Sequence, residues 1–369
     1  MRISPGLPLR RAMVGVFVLA AIWTTGGTAT AGPPAGGESE RLAFAQRYRA
    51  LQHGGIVRAA NASISCRATV ETCAGVREGE HLTTATGCTK AAVNGDVDMF
   101  YVDVDSDPNT YNSSRAEVRV PPGGRVSYAR LYWGGNLKVG EQKPPKDSGR
   151  VLIAEPGGQY KELLADSVVG HRVAHGADAF QASADVTNLV RESGSGLYTV
   201  AQVNVAMGRS AAGAWGGWTL VVAYENAAEP LRHLVVWDGF EALGDHKGDG
   251  SLVGSGELAF PAGANGHAGL VAYNGDRGST GDSFTVSVAG RTTALGDAAN
   301  PLDDVLNSTI GGAVSERVPA YANTLGYDSD VFELGTALRR GGDQLAFRLV
   351  SQRDAAWAGA LFVAVDARQ

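Results

Sequence analysis

The sequence is poor in the residues and motifs that mark many familiar protein classes. Only three of its 369 residues are cysteines, and charged residues make up 19% of the chain. The net charge of −6 supplies no basic surface, so we expect no nucleic-acid partner and no binding to anionic membranes. The sequence contains no Gly-x-Ser-x-Gly, no phosphate loop and no Gly-x-Gly-x-x-Gly at a strand–helix junction. No known catalytic motif is therefore recognisable.

Long apolar runs are absent beyond the N-terminal region. A positively charged start is followed there by the apolar stretch 12–23 and then by Ala29-Thr30-Ala31. This stretch is too short for a membrane-spanning helix, which needs about 20 residues. The pattern predicts a signal peptide over residues 1–31, cleaved after Ala31, and a secreted, extracellular or envelope-associated protein. We expect no integral membrane segment after cleavage.

The three cysteines fall in one short part of the chain. An exported protein meets an oxidising environment in which thiols can pair. The short separation predicts a disulfide between Cys66 and Cys73, with Cys88 as the odd thiol. Three reduced thiols are the alternative. Zinc is disfavoured, even with His81 nearby, because the cysteine spacing matches no standard zinc module.

Glycine, by contrast, is abundant, with 50 residues. From about residue 94 the chain consists of short alternating apolar runs closed by Gly, Pro, Asn or Asp, which indicates β-strands. We predict an all-β fold of two tandem jelly-roll-like β-sandwiches with short inserted helices. Apolar residues at helical spacing predict a short amphipathic helix within 38–55, and two more helices capped by Asp185 and Asp330.

An internal duplication divides the chain. Matched landmarks recur at nearly one offset; they are Pro121 and Pro261, Gly217 and Gly359, and Asp185 and Asp330, separated by 140, 142 and 145 residues. Chance similarity among valine-rich strands is the alternative. The predicted parts are the signal peptide (1–31), a leader with a short helix (32–60), a first sandwich with the cysteines (61–228) and a second sandwich (229–369). The near-continuous apolar runs 218–224 and 360–365 should be central strands.

The densest polar feature is a row of alternating aspartates. Asp103, Asp105 and Asp107 would share one face if a strand continued through them, and their carboxylates would repel unless a cation lay nearby. Oxygen ligands at this density suit Ca2+, so these residues are a candidate calcium site. It is not an EF-hand, because Pro108 stands in place of the required glycine. The alternative is a turn in which these side chains cap backbone groups.

Other polar and aromatic residues are weaker candidates. Four aspartates in glycine-rich turns are candidates for further ligand roles, and seven aromatic residues are candidates for sugar stacking. Turn chemistry for the aspartates and core packing for the aromatic residues are the favoured interpretations. The aspartates are Asp245, Asp249, Asp276 and Asp282; the aromatic residues are Tyr128, Tyr132, Trp133, Trp215, Trp218, Trp237 and Trp357. His171 and His175 are expected in loops.

Several longer runs carry a family resemblance. They are YVDVDSDPNTYNSSRAEVRVPPGGRVSYARLYWGG, ADVTNLV, GGWTLVVAYENAAEPLRHLVVWDGF and LGYDSDVFEL. Over most of residues 61–369 the chain resembles a large group of uncharacterised secreted proteins that are common in actinobacteria. There the module often precedes Ig-like repeats of unknown function on surface proteins. The resemblance implies a cell-envelope or extracellular role and no established activity, and this sequence ends without such repeats.

These observations favour a non-catalytic extracellular module that binds a cell-wall glycan or an envelope protein. One alternative is an extracellular polysaccharide hydrolase, whose paired carboxylates could not be seen in sequence. The other is a purely structural surface protein. Facing carboxylates in a cleft would favour the enzyme, and a groove lined by exposed Trp and Tyr would favour binding. The absence of both features would favour the structural role.

Overall fold

The structure is a computed structural model that describes residues 42–69, 71–83, 89–244, 251–312 and 315–368. The predicted signal peptide, Cys88, Asp245 and Asp249 lie outside the described residues. Within these ranges, no helix has the length and hydropathy needed to cross a membrane.

Strands dominate the described residues. Those of the first half are β1 (Leu42–Ala62), β2 (Ile64–Cys66), β3 (His81–Thr83), β4 (Thr89–Ala91), β5 (Met99–Tyr101), β6 (Ser113–Val118), β7 (Arg125–Asn136), β8 (Arg150–Ala154), β9 (Lys161–Leu164), β10 (Ser167–Ala174), β11 (Ala177–Asp185), β12 (Gly196–Ala201) and β13 (Gly216–Glu225). Those of the second half are β14 (Leu231–Ala242), β15 (Ser251–Phe260), β16 (Gly266–Tyr273), β17 (Ser283–Val288), β18 (Arg291–Leu295), β19 (Arg317–Val318), β20 (Tyr327–Glu333), β21 (Gly342–Val350) and β22 (Trp357–Asp366). The helices are α1 (Cys73–Arg77) and α2 (Thr187–Ser193), and single 3-10 turns span Asn94–Asp96 and Pro145–Asp147.

The two halves share one strand order. The outer sheet of the first half contains β6-β12-β8-β9, and that of the second half is β15-β21-β17-β18. The inner strands of the first half run β11-β7-β13-β1, and the equivalent strands of the second half run β20-β16-β22-β14. The two sets meet at β1 and β14, so the second set follows the first in reverse order. Each half is thus two four-stranded antiparallel layers connected as a jelly roll, which confirms the predicted fold class. β10 and β19 are additions at sheet edges.

One strand joins the inner layers into a nine-stranded sheet. β1 pairs with β14 through residues 42–53 and with β13 through residues 54–62. The exchange happens at Gly54, whose φ of 135° suits glycine, and a Cβ there would lie 2.0 Å from the Tyr224 carbonyl oxygen. Residues 38–369 form one compact unit, and the predicted boundary at 228/229 falls in the connection from β13 to β14.

The predicted helix within 38–55 is wrong, because the described part of this segment belongs to β1. Irregularities in the β1–β14 pairing, between Leu42 and Ala45 and between Gln46 and Tyr48, interrupt the two-residue alternation of a regular strand. The resulting spacing of apolar residues imitates a helix. The predicted leader (32–60) therefore contains most of a strand that belongs to the sandwiches.

Three hydrophobic cores hold the layers together. Alternate residues of β13 face different cores: Leu220 and Val222 lie in the first sandwich, whereas Val221 packs between the two inner layers. β22 does the same, with Val363 in the second sandwich and Phe362 between the layers. Both strands have paired neighbours on each side, so the prediction that they are central is confirmed.

The two predicted helix caps differ in outcome. The N-cap position of α2 is Val186, so Asp185 lies one residue before the cap position that was predicted for it. Its Oδ1 still accepts a hydrogen bond from the first helix amide, that of Thr187, at 2.8 Å. Asp330 heads no helix, so that prediction is wrong. It lies inside β20, because the pairing of β20 with β16 continues to Glu333, and only turns follow the strand.

Candidate functional site

The structure places a disulfide between Cys66 and Cys73, as predicted. It joins the end of β2 to the start of α1, on the first sandwich. This bond and several short elements lie within the long connection between β1 and β6.

The aspartate row 103–107 does not continue a strand, because β5 ends at Tyr101. Its carboxylates accept hydrogen bonds from nearby donors. Ser113 Oγ lies 2.8 Å from Asp103, the Asp107 amide lies 2.8 Å from Asp105, and the Asn109 amide lies 2.9 Å from Asp107. Burial raises the pKa of Asp105, but these contacts and a hydrogen bond from Tyr160 lower it overall. The contacts are those of the turn alternative, and calcium binding here stays a prediction.

The aromatic candidates lie in the cores. Trp133, Trp215, Trp218, Trp237 and Trp357 are at most 3% exposed. Tyr128 and Tyr132 are buried as well. Among the described tryptophans none can serve as a stacking platform, so core packing is the correct interpretation for them. The prediction of loop positions is wrong for His171, which lies in β10, and correct for His175, which lies in the turn that follows. No helix carries this pair.

A cleft of about 550 Å³ opens where the two sandwiches meet. Its apolar wall contains Ile56 of β1, Tyr224 of β13, Val331 of β20 and Phe362 of β22. Residues from both halves therefore form a single surface. Its size lies within the range of small-molecule sites, which are typically mostly apolar with a few polar groups.

The principal polar group of the cleft is the buried guanidinium of Arg58. Its Nη2 donates a hydrogen bond to the Gly311 carbonyl, while its Nε has no partner in the protein. Burial lowers the pKa of Arg58 to about 10, against the opposing effect of the Asp330 carboxylate. Arg58 therefore remains a cation at neutral pH, with one hydrogen-bond donor unused.

The carboxylate of Asp330 stabilises the charge of Arg58. Its Oδ1 accepts hydrogen bonds from the Gly311 amide at 2.6 Å and from Thr309 Oγ1 at 3.1 Å. Burial raises the pKa of Asp330 to about 6, and the charge of Arg58 opposes that rise. At neutral pH the carboxylate balances the buried guanidinium.

A histidine and a glutamate stand side by side in the same cleft. His267 of β16 and Glu333 of β20 are paired across the sheet. His267 Nε2 lies 3.3 Å from the Ile56 carbonyl oxygen, so it carries the hydrogen and donates it. Burial lowers the pKa of His267 despite the neighbouring Glu333 carboxylate. The imidazole is therefore neutral at pH 7 and presents Nδ1 as an acceptor.

Sequence reasoning did not identify Arg58, His267 or Glu333. Arg58 lay in a segment that was interpreted as leader, His267 is a lone histidine in an apolar strand, and Glu333 ends a strand with several other polar residues. Arg58 carried one usable signal, as a charge within the apolar run GGIVRAANA. Charged residues in such runs are rarely buried without a partner.

Two of the aspartates that the sequence offered as candidate ligands lie outside the cleft. Asp276 and Asp282 lie at one end of the second sandwich, close to Asp304 and Asp354, which the sequence analysis did not select. Asp304 and Asp354 come from separate connections, so only the folded chain brings the four together.

The fold and the cleft define the class: a double jelly roll with a polar and apolar cleft between its sandwiches. No family model and no curated protein matches the chain.

Several solved structures share a weak likeness. The glycosylasparaginase PNGase F from Flavobacterium meningosepticum is 12% identical, with 72% of this chain and 95% of that chain covered and a TM-score of 0.24. The major capsid protein P2 of bacteriophage PM2 is 12% identical over 72% and 96%, with a TM-score of 0.18. VP2 of infectious bursal disease virus is 9% identical over 89% and 71%, with a TM-score of 0.23. At these scores the likenesses support no inference about function.

Proposed function

We propose that the protein is a secreted, non-catalytic cell-envelope or extracellular module that binds a segment of surface glycan in the cleft between its sandwiches. The observation that carries the proposal is a cleft with an apolar wall that also contains the cation Arg58 and the polar side chains of His267 and Glu333. The resemblance to secreted actinobacterial surface modules supports the extracellular setting.

The chemistry of the cleft suits a sugar. The positive charge of Arg58 beside the cleft favours a ligand that carries hydroxyl or carboxylate oxygens. His267 Nδ1 and the Glu333 carboxylate can accept from sugar hydroxyls. The apolar faces of sugar rings can pack on Ile56 and Phe362. Recognition in the described cleft would thus depend on hydrogen bonds and apolar contact, without tryptophan stacking.

The hydrolase alternative requires two carboxyl groups that flank one bond. Asp297 and Glu333 both line the cleft. However, Asp297 Oδ1 accepts hydrogen bonds from the amides of Ala299 and Asn300, at 2.8 and 2.9 Å, within its own turn. This carboxylate serves the turn, so the geometry favours binding over hydrolysis.

The test is binding of the purified chain to an array of bacterial surface glycans, followed by calorimetry with the glycan that binds best. Ser315 lies at the cleft in a connection outside the strands, so Ser315→Tyr should fill the cleft without disturbing the cores. We expect this variant to weaken binding by at least about tenfold, equivalent to about 1.4 kcal/mol.

Ser255→Tyr is the matched control. Ser255 lies in a shallow groove on the outer sheet of the second sandwich, with a volume of about 630 Å³. The control should bind as tightly as the parent. Loss of binding in Ser255→Tyr alone would move the site to the outer groove, and failure of the parent to bind any glycan would favour the purely structural alternative.

A further inference from the structure

Four aspartates from three separate connections meet at one end of the second sandwich. Asp276 and Asp282 lie between β16 and β17, Asp304 between β18 and β19, and Asp354 between β21 and β22. The Asp276 amide donates to Asp354 Oδ2 at 2.9 Å, and Asp282 and Asp304 form a backbone bridge. These four residues are called the acidic cluster below.

Several oxygens of the acidic cluster are buried without a donor. Asp282 is 0% exposed, and neither of its carboxylate oxygens has a partner in hydrogen-bond geometry. The Ser351 hydroxyl and the Asp354 carboxyl act on its pKa, but Ser351 Oγ donates to the Asp354 carbonyl oxygen, at 3.0 Å. Asp304 is 8% exposed, and its Oδ1 also has none, although its Oδ2 accepts from the Gly278 amide at 2.9 Å. An unpaired buried carboxylate is strongly unfavourable, so such a group normally pairs, binds a metal or takes up a proton.

The cationic side chains that act on the cluster direct their hydrogen bonds elsewhere. Lys90 Nζ lies 2.7 Å from Asp96 Oδ1. Arg277 donates to the carbonyl oxygens of Asn307 and Ala322, at 3.3 and 2.7 Å. The described side chains thus leave the negative charge of the cluster largely uncompensated.

Protonation is the response of the cluster in the absence of a cation. Burial, followed by the charge of Asp354, raises the pKa of Asp276 to about 7 and that of Asp282 to about 8. Burial also raises the pKa of Asp304 and of Asp354. The cluster therefore holds protons near neutral pH, where separate aspartates would be fully ionised.

We propose that the acidic cluster binds a Ca2+ ion, with Asp282 and Asp304 as its central ligands. Ca2+ takes six to eight oxygens in flexible geometry, whereas Mg2+ gives up its water reluctantly and suits a dry site poorly. In the described residues no three His, Cys, Asp or Glu side chains already converge on one metal-sized point. Binding therefore includes rotation of carboxylates, and we expect a dissociation constant on the order of 10⁻⁴–10⁻³ M, as in extracellular calcium modules.

The experiment is equilibrium dialysis of the chelator-treated full chain against radioactive Ca2+, with Mg2+ as competitor. The parent should bind Ca2+ that excess Mg2+ does not displace. Because the ion replaces protons, affinity should rise several-fold between about pH 6 and about pH 8. Asp282→Asn should abolish binding.

Two further measurements make the outcome decisive. Asp282→Asn replaces a buried carboxyl group, which must take up a proton when no cation is bound, by a neutral amide of nearly the same volume. Its melting temperature in chelator should therefore equal or exceed that of the parent, which separates lost binding from lost folding. The matched control is Asp105→Asn, in the aspartate row 103–107, which should keep Ca2+ binding. Any other pattern overturns the proposal, including binding lost only in Asp105→Asn, or no binding by the parent at millimolar Ca2+. None of these outcomes depends on whether a glycan binds in the cleft.

Discussion

The two sandwiches use the same asparagine contact at one end. In the first sandwich, Asn136 Nδ2 donates to the Gly213 carbonyl oxygen at 2.8 Å. In the second, Asn274 Nδ2 donates to the Ala355 carbonyl oxygen at 3.0 Å. Each contact ties the end of the third strand of the jelly roll to the connection before its last strand. The two halves therefore have equivalent junctions at this end.

The surroundings of the two junctions differ. Near Asn136 the buried polar groups are paired. Asn112 both donates to and accepts from the backbone of Val203, and the buried carboxylate of Asp178 accepts a hydrogen bond from Gln142 Nε2 at 3.0 Å. Near Asn274 lies the acidic cluster, with carboxylate oxygens that have no donor. Since the first sandwich folds with its buried carboxylate paired at this end, the jelly roll does not require carboxylate oxygens without a donor. Their presence in the second sandwich points to a role beyond folding.

The largest effect should follow from placing a charge in either sandwich core. Val222 and Val363 face the first and second cores and are completely buried. Replacement of either by Asp should cost several kcal/mol, which is comparable with the total stability of a domain. β1 and the core between the two inner layers join the sandwiches. We therefore expect circular dichroism to show that either variant loses the entire cooperative transition. Val168→Asp, at a position 50% exposed, is the control. A surviving transition from one sandwich would contradict this coupling.

A smaller effect on the free energy of unfolding should follow from a change of pH, because the acidic cluster lies in the second sandwich only. In chelator, the folded chain holds protons on Asp282 and Asp276 that the unfolded chain releases above its ordinary aspartate pKa near 4. The folded state binds more protons, so stability should fall as pH rises from about 4 to about 8. Each unit of pKa shift corresponds to about 1.4 kcal/mol.

Asp282→Asn isolates this pH effect. Urea unfolding of the variant should show a flatter decline with pH than that of the parent. The comparison between variant and parent also cancels the contribution of His267, which both proteins contain. The lowered pKa of His267 makes stability rise with pH below about pH 6.5, opposite to the effect of Asp282. Equal slopes in both proteins would mean that Asp282 is ionised in the folded state, against the expectation.

The sequence predicted what depends on local pattern. The apolar runs of β13 and β22 identified two central strands, because residues buried on both faces leave a continuous apolar signal. β1 was missed because its bulges disturb the alternation on which strand prediction depends. Asp304 and Asp354 stand in unremarkable loops, and only the strand connectivity brings them to Asp282. The cleft likewise requires two sandwiches in contact, which no local pattern encodes.

The smallest effect should come from the shared asparagines themselves. Asn136 Oδ1 accepts hydrogen bonds from the amides of Lys138 and Asp178, both at 3.0 Å, so Asn136→Ala leaves two backbone donors without a partner. Asn274 Oδ1 instead accepts from the side chain of Asn94 at 3.0 Å, which can rotate towards another acceptor. We expect Asn136→Ala to cost about 1–3 kcal/mol more than Asn274→Ala, measured from urea midpoints at constant slope. Asn136→Asp, which keeps the acceptor oxygen, should recover part of the difference. Equal losses in the two alanine variants would show that the donated bond to the last connection, rather than the accepted backbone amides, determines the stability of each junction.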